Sequence, residues 1–105
     1  MDKTLKKALL ILLVLNFSSS AFADPKMELG LEVFNNKAQC SMCHTLKAAK
    51  SIGEIGPNLD QLKPQKNQIV YAVTNGTGVM PPFEGMLSVE EIEAVAHFVS
   101  ISTDQ

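Results

Sequence analysis

The chain has 105 residues, nine lysines, eleven acidic residues, no arginine and a formal net charge of −2 at pH 7. This length is enough for one domain, and without a basic surplus the chain lacks the electrostatic footprint of a nucleic-acid-binding protein. Tryptophan is absent, and one tyrosine and five phenylalanines are the only large rings available for a core.

A secretory signal peptide is predicted at residues 1–23. Three lysines precede an apolar run, and Ala21 and Ala23 stand two apart before Asp24, which is the pattern of such a signal. The alternative is an uncleaved anchor, but the run is shorter than the roughly 20 residues that a spanning helix needs, so we expect no membrane anchor. Cleavage after Ala23 would leave residues 24–105 as one acidic periplasmic domain.

The mature domain has few large side chains with which to build a core. Domains of about 80 residues rarely bury enough apolar surface to be stable alone, and they usually contain a cross-link or a bound group. A disulfide between Cys40 and Cys43 would close too short a loop to constrain much of the chain. We therefore expect a bound group, and not a disulfide, to complete the core.

The first of three predicted helices spans residues 25–35. Met27, Leu31 and Phe34 follow one another at spacings of four and three, which indicates a single apolar face. Pro25 suits the first turn of a helix, where its missing amide costs nothing. We expect this face to enter the core.

The second predicted helix spans residues 64–74 and closes at Gly76. The third begins at a capping box, in which Ser88 caps the helix and Glu91 reaches back to the Ser88 amide, and its apolar stripe continues to about Ile101. No segment alternates with the period of two expected of a half-buried strand over a useful length. The predicted fold class is all-α.

The decisive motif is the Cys-Ser-Met-Cys-His run at residues 40–44. Two thiols at this spacing can add to the two vinyl groups of a haem, and a histidine directly after the second cysteine then lies beneath the iron. This pattern is typical of a c-type haem attachment site. It predicts one covalent haem c, held by Cys40 and Cys43, with His44 as an iron ligand.

Three other interpretations of the motif are open. A thioredoxin-like dithiol needs a βαβ context and a low-pKa thiol, and that context is missing. A zinc site needs four ligands, and outside the motif the chain offers only His97 and carboxylates. A structural disulfide would leave His44 unexplained. Haem attachment accounts for all three motif residues.

A second iron ligand is expected opposite His44, because a Met thioether there raises the potential of an electron-carrying haem. Of the five methionines, one leaves with the signal, one lies in the first helix and one is inside the motif. Met80 and Met86 remain, both in the loop before the last helix. His97 would instead give a bis-histidine haem.

Local chemistry favours Met80 over Met86. A residue before proline is pushed towards extended conformations, and Pro81 and Pro82 have no amide donors. We therefore expect a stiff strap that holds the Met80 thioether across the haem without being drawn into hydrogen-bonded structure. Met86 lies two residues before Ser88, where a hydrophobic side chain commonly packs against the helix start.

From Lys26 to Ile101 the chain resembles the class I monohaem cytochromes c, particularly the short bacterial and photosynthetic ones. Besides the haem motif, Gly30 and Phe34 match the Gly-x-x-x-aromatic pattern of the family's first helix. The resemblance implies helices wrapped around one covalently bound haem, with the first and last helices crossing. The glycine would let the last helix approach at Val95 and Phe98.

Two loops carry the rest of the resemblance. Residues 56–59, Gly-Pro-Asn-Leu, are similar to a loop beside the haem, which implies that Pro57 and Leu59 belong to the haem site. The Pro57 carbonyl would accept a hydrogen bond from His44 and fix its tautomer. Residues 75–83 are similar to the family's methionine-ligand loop.

The resemblance implies a soluble electron carrier and not an enzyme, because an iron with six ligands has no open position for a substrate. Its partners would be redox proteins that meet the exposed haem edge. Two alternatives are open: a haem subunit of a dehydrogenase or oxidase complex, favoured by a large apolar patch at that edge, and a haem protein that binds peroxide or a gas. Charges of both signs are expected around the edge: Lys37, Lys47, Lys50, Glu84, Glu90, Glu91 and Glu93.

Overall fold

The computed structural model describes residues 24–104, and the predicted signal peptide lies outside the described residues. The α-helices in this part of the chain are α1 (Pro25–Glu32), α2 (Leu59–Leu62), α3 (Lys66–Asn75) and α4 (Val89–Thr103). Single 3₁₀ turns occur at Cys40–Met42 and Lys47–Ala49. The all-α prediction is confirmed in outline, because helices supply nearly all of the regular structure of residues 24–104.

A small β-hairpin is the exception to the helical architecture. Strands β1 (Thr45–Leu46) and β2 (Ser51–Ile52) pair antiparallel, with Leu46 opposite Ser51. Two residues per strand are too few to produce a period-two pattern that could be read from the sequence. Leu46 is fully buried and Ser51 Oγ donates to its carbonyl oxygen at 3.3 Å, so the hairpin is anchored in the core.

Helix α1 starts as predicted and ends differently. Asp24 caps it by accepting a hydrogen bond from the Lys26 amide at 3.0 Å, and after Glu32 the chain continues as a wider π-helical turn, Val33–Lys37. The buried face of this segment consists of Gly30, Val33 and Phe34. Leu31 lies beside this face and is 36% exposed, so its predicted place in the core is wrong.

Helices α1 and α4 cross in close contact at Gly30. A Cβ atom on this residue would strike the Ala94 carbonyl oxygen and the Phe98 Cβ atom. The rings of Phe34 and Phe98 meet edge to face beside the crossing, with centroids 6.1 Å apart and an interplanar angle of 61°. The predicted approach at Phe98 is confirmed, but the other neighbour is Ala94 rather than Val95, because the main chain of Gly30 lies against the main chain of α4 at Ala94.

Helix α3 begins two residues later than predicted because a second capping box sets its start. The Gln65 amide donates to Gln68 Oε1 at 2.9 Å, and the Gln65 side chain accepts from the Gln68 amide in return. The helix ends where expected, since Gly76 adopts a φ of +74°. Ile69 and Val73 are its buried residues.

Helix α4 has the predicted capping box and extends further than predicted. The Ser88 amide donates to Glu91 Oε1 at 2.9 Å, and the Glu91 amide donates to Ser88 Oγ at 3.1 Å. At the other end, Lys63 Nζ donates to the Thr103 carbonyl oxygen at 3.2 Å. A donor at a helix-end carbonyl stabilises the last turn, and this turn ends two residues past Ile101.

Helix α2 lies between the first two predicted helices, in a stretch where the sequence predicted no helix. Asn58 caps it, because its Oδ1 accepts a hydrogen bond from the Gln61 amide at 3.2 Å, and Lys63 ends it with a left-handed φ of 49°. An asparagine before a Leu-x-x-Leu spacing was a readable signal for this turn. Among the described residues, no helix is both long enough and apolar enough to cross a membrane.

Replacing Gly30 with alanine tests the helix crossing. The added methyl group would strike the α4 backbone, so we expect the holoprotein to lose about 1–3 kcal/mol of unfolding free energy despite the better helix propensity of alanine. Urea titration should show a lower midpoint with an unchanged slope. Glu28→Ala, on the exposed side of α1, is the control and should change stability by no more than about 0.5 kcal/mol. Equal stability of Gly30→Ala and the wild type would contradict the crossing.

Candidate functional site

Two adjoining cavities, of about 440 and about 430 Å³, form one slot between the helices and the loop that follows the Cys-x-x-Cys-His motif. Both volumes are in the range of pockets that hold small molecules and cofactors. The wall that the cavities share consists of Cys40, His44, Pro57, Thr77 and Met80. Four of these five residues were predicted site residues, and the fold brings them together.

The inner cavity lies against the helical core. Beyond the shared wall it is lined mainly by apolar side chains, among them Phe34, Leu59, Ile69 and Val95. Leu59, a predicted site residue, is 8% exposed. No Lys, Arg, Asp or Glu side chain of residues 24–104 lines this cavity. Such a wall suits the face of a flat, apolar group.

The outer cavity opens towards the surface. Its rim carries Met42, Ile55 and Val79, which are 66%, 73% and 89% exposed. Cys43 lines this cavity together with Cys40, so both motif thiols border the slot. A group that filled the slot would present an edge to solvent at this apolar rim.

His44 is held in one tautomer by the loop that follows the motif. Its Nδ1 lies 2.7 Å from the Pro57 carbonyl oxygen. Because a carbonyl oxygen can only accept, Nδ1 carries a proton, and in the neutral imidazole Nε2 then keeps a free lone pair for a metal ion. The hydrogen bond that the resemblance implied is therefore present in the structure.

The absence of a side chain at Gly56 leaves room for the His44 ring. A Cβ atom at this position would lie 2.6 Å from His44 Cε1 and 2.9 Å from Nδ1, so a side chain there would displace the ring. The Gly56 amide donates to the Cys43 carbonyl oxygen at 2.7 Å, which fixes the loop against the end of the motif. The ring is thus packed between the loop backbone and the slot.

The two cysteines are placed by a single 3₁₀ turn. Gln39 enters it with a left-handed φ of 54°, and the amides of Cys43 and His44 both donate to the Cys40 carbonyl oxygen, at 3.1 and 2.9 Å. Both thiols are unbonded and half-buried. Burial raises the pKa of the Cys40 thiol to about 11, which is opposite to the lowered pKa of a dithiol oxidoreductase.

A zinc site finds no support either. Residues 24–104 contain no group of three or more His, Cys, Asp and Glu side chains close enough together to hold a metal ion. His97 lines neither cavity, and its Nε2 lies 3.3 Å from Asp24 Oδ2 at the start of α1. It is therefore a residue of the helix boundary and not a partner of the motif.

The loop that carries Met80 is a tight turn. Thr77 and Met80 exchange two backbone hydrogen bonds of 3.0 Å each, and Gly78 between them has a φ of +58°. This pattern matches a type II′ turn, which takes glycine at its first central position. The prediction that the Met80 backbone stays free of hydrogen bonds is wrong, because the two glycines upstream allow the chain to fold back on itself before Pro81.

Met80 and Met86 differ sharply in their surroundings. Met80 is half-buried, packs against the core and lines both cavities. Met86 is 69% exposed and lines neither cavity, so its predicted packing against the start of α4 is wrong. Leu87, 7% exposed, fills that position instead.

Some residues of the slot were not predicted. Thr77 belongs to the wall of both cavities, and Ala72 and Gln68 extend the inner wall along α3. The signal for the last two is their spacing from Ile69 and Val73, which places them on the same side of the helix. Thr77 has no such signal, since only the turn brings it to the slot.

The residues of the slot fit a covalently attached haem. Two thiols border it, an imidazole with a free Nε2 and a thioether line it, and its remaining walls are mainly apolar. Haem iron in c-type electron carriers takes this kind of ligand pair. The donor set also differs from that of a structural zinc site, which would close four ligands around the ion.

Comparison with known proteins agrees with this chemistry. Residues 25–99 match the family described as cytochrome c oxidase, cbb3-type, subunit III. The cytochrome c6 of Microcystis aeruginosa is 40% identical and is matched over 67% of this chain and 89% of its own length. The cytochrome c6 of a Picosynechococcus species is 35% identical, over 95% of this chain and 93% of its own length.

A solved structure shares both fold and sequence with the chain. The crystal structure of the c-type cytochrome SorU from Sinorhizobium meliloti superposes with a TM-score of 0.72 and is 50% identical in sequence. The match covers 76% of this chain and 93% of that protein. Likeness of this extent reaches beyond the haem motif to the helices and loops that surround it.

Proposed function

Because the chain belongs to the class I monohaem cytochrome c family and carries one covalent haem c, we propose that Cys40 and Cys43 attach that haem and that His44 and Met80 bind its iron. The chain is a haem electron carrier, like the relatives that it matches. The observation that carries the ligand assignment is the 2.7 Å hydrogen bond from His44 Nδ1 to the Pro57 carbonyl, which leaves Nε2 free at a slot that Met80 also lines.

The bound haem supplies a one-electron iron couple, and the chain's own residues prepare its surroundings. The Pro57 carbonyl oxygen accepts a hydrogen bond from His44 Nδ1, and this bond makes His44 Nε2 a more basic ligand for iron. The mainly apolar inner wall gives that side of the slot a low polarity. With His44 and Met80 both bound, no coordination position is open, and we therefore assign electron transfer without catalysis.

The apolar rim supports a brief docking contact with redox partners. Met42, Ile55 and Val79 stand exposed around the mouth of the outer cavity, next to Pro81. Such a patch was also expected for the haem subunit of a larger complex. A stable interface needs roughly 20–30 residues on each side, so a rim of this size fits a mobile carrier better than a permanent subunit.

Charge contributes less to this surface than the sequence indicated. Lys37 forms an ion pair with Glu91, and Lys66 Nζ lies 3.0 Å from Glu93 Oε2. Two of the acidic residues expected around the haem edge are thus already paired within the chain. The pKa of Glu91 is lowered chiefly by its hydrogen bond with Lys37, so this pair stays charged at neutral pH.

We also propose that residues 1–23 direct export to the periplasm and are then removed. The lysines before the apolar run, and Ala21 and Ala23 before Asp24, support this export. Removal would leave Asp24 as the first residue, and its carboxylate already caps α1 through the Lys26 amide.

Haem attachment through both cysteines is tested by extraction. The exported wild-type protein should keep its haem through acid–acetone treatment and denaturing electrophoresis, and its intact mass should equal residues 24–105 plus one haem. Cys40→Ala with Cys43→Ala should lose the haem completely, whereas Ser41→Ala, which removes no thiol, should keep it. A wild-type haem that washes out would exclude covalent attachment.

Replacing each methionine in turn tests the second ligand. Met80→Ala should abolish the near-infrared sulfur-to-iron band of the oxidised protein and allow imidazole or carbon monoxide to bind. Met86→Ala is the matched control, because its exposed side chain should cost no more than about 0.5 kcal/mol of stability and leave the band intact. The reverse result would assign the ligand to Met86, and a band that survives both changes would point to neither residue.

A further inference from the structure

A second hydrogen bond lies beside the one that orients His44. Asp60 Oδ2 accepts from the Lys47 amide at 2.8 Å, while the Pro57 carbonyl accepts from His44 Nδ1 at 2.7 Å. Both bonds join residues thirteen positions apart. The segments 44–47 and 57–60 are therefore cross-linked at both ends and form a closed ring of chain.

The middle of this ring is fixed by burial. Leu46 is fully buried and Leu59 is 8% exposed, and both belong to the core that surrounds the slot. Asn58 caps α2, so the helical turn that carries Asp60 starts directly after the proline that contacts His44. Because both segments are held in this way, a change in the bond between Asp60 and the Lys47 amide should be relieved mainly by a shift of Pro57 relative to His44.

We propose that Asp60 is a positioning residue, which holds the Pro57 carbonyl against His44 Nδ1 by binding the Lys47 amide and so helps to set the reduction potential. This inference rests on the proposed function, in which His44 is an iron ligand. Asp60 lines neither cavity of the slot, so it acts through the loop and not by contact with the haem.

The direction of the effect follows from the donor strength of His44. A hydrogen bond at Nδ1 raises the basicity of Nε2, and a more basic ligand favours the ferric over the ferrous state. Loosening the Pro57 contact should therefore raise the reduction potential. Loss of the negative charge of Asp60 would also raise the reduction potential. The experiment therefore has to separate the effect of the Pro57 position from the effect of the Asp60 charge.

Lys47 offers variants that make this separation. Lys47→Pro removes the amide that Asp60 binds and leaves the Asp60 carboxylate in place. Proline is compatible with this site, because Lys47 opens a 3₁₀ turn and the preceding Leu46 is extended, with φ −152° and ψ 113°. Lys47→Ala is the matched control, since it removes the same positive charge and keeps the amide.

The two variants are compared by redox titration and by NMR of the reduced holoprotein, in which the exchange of the His44 Nδ1 proton with solvent is measured. Loss of a positive charge alone should lower the potential. We expect the reduction potential of Lys47→Pro to be higher than that of Lys47→Ala, which loses the same charge. The difference should be at least a threefold change in the redox equilibrium constant, which is about 28 mV for one electron. Proton exchange should become about tenfold faster in Lys47→Pro only, a loss of about 1.4 kcal/mol of protection.

Equal potentials and equal exchange rates in the two Lys47 variants would overturn the inference. If Lys47→Pro does not yield holoprotein, Asp60→Ala is compared with Asp60→Asn, which loses the charge but keeps an acceptor, and equal behaviour of that pair overturns it as well. A wild-type protein in which the His44 ring shows no iron-bound signature would instead contradict the proposed function.

Discussion

The hydrogen bond from His44 Nδ1 to the Pro57 carbonyl oxygen is the contact around which the site is built. It selects the tautomer that leaves Nε2 free, and it requires the chain after the motif to return over the His44 ring. That return brings Gly56 so close to the ring that a side chain would not fit. The small hairpin and α2 follow from the same need, since both bury a leucine within the returning loop.

The slot also explains how so small a domain can be stable. Phe34 and Phe98 meet at the crossing of α1 and α4, and beyond them the core consists mainly of aliphatic side chains around a cavity. A flat apolar group in that cavity would contact the inner faces of α3 and α4 together. The same group that transfers electrons thus supplies contacts that a protein of about 80 residues lacks.

Features that depend on local chemistry could be predicted from the sequence. The haem motif and the Ser88 capping box act through residues at a short fixed spacing, and the capping box is found in the structure. The close helix crossing at Gly30 is a tertiary feature that only the family resemblance implied, and it is present as well. Other features set by tertiary packing could not be predicted. Leu31 lies one position outside the buried face formed by Gly30, Val33 and Phe34, and the Met80 turn closes through contacts between residues with no periodic pattern.

A haem whose iron is bound by both His44 and Met80 should carry single electrons and leave no position open for a substrate. This is tested by a redox titration of the wild-type protein, followed by its visible spectrum and repeated under carbon monoxide. We expect one reversible transition with the slope of a one-electron couple, a low-spin spectrum in both states and no change with carbon monoxide. A high-spin resting spectrum, or a carbon monoxide adduct of the unaltered protein, would show an open iron and exclude this ligation.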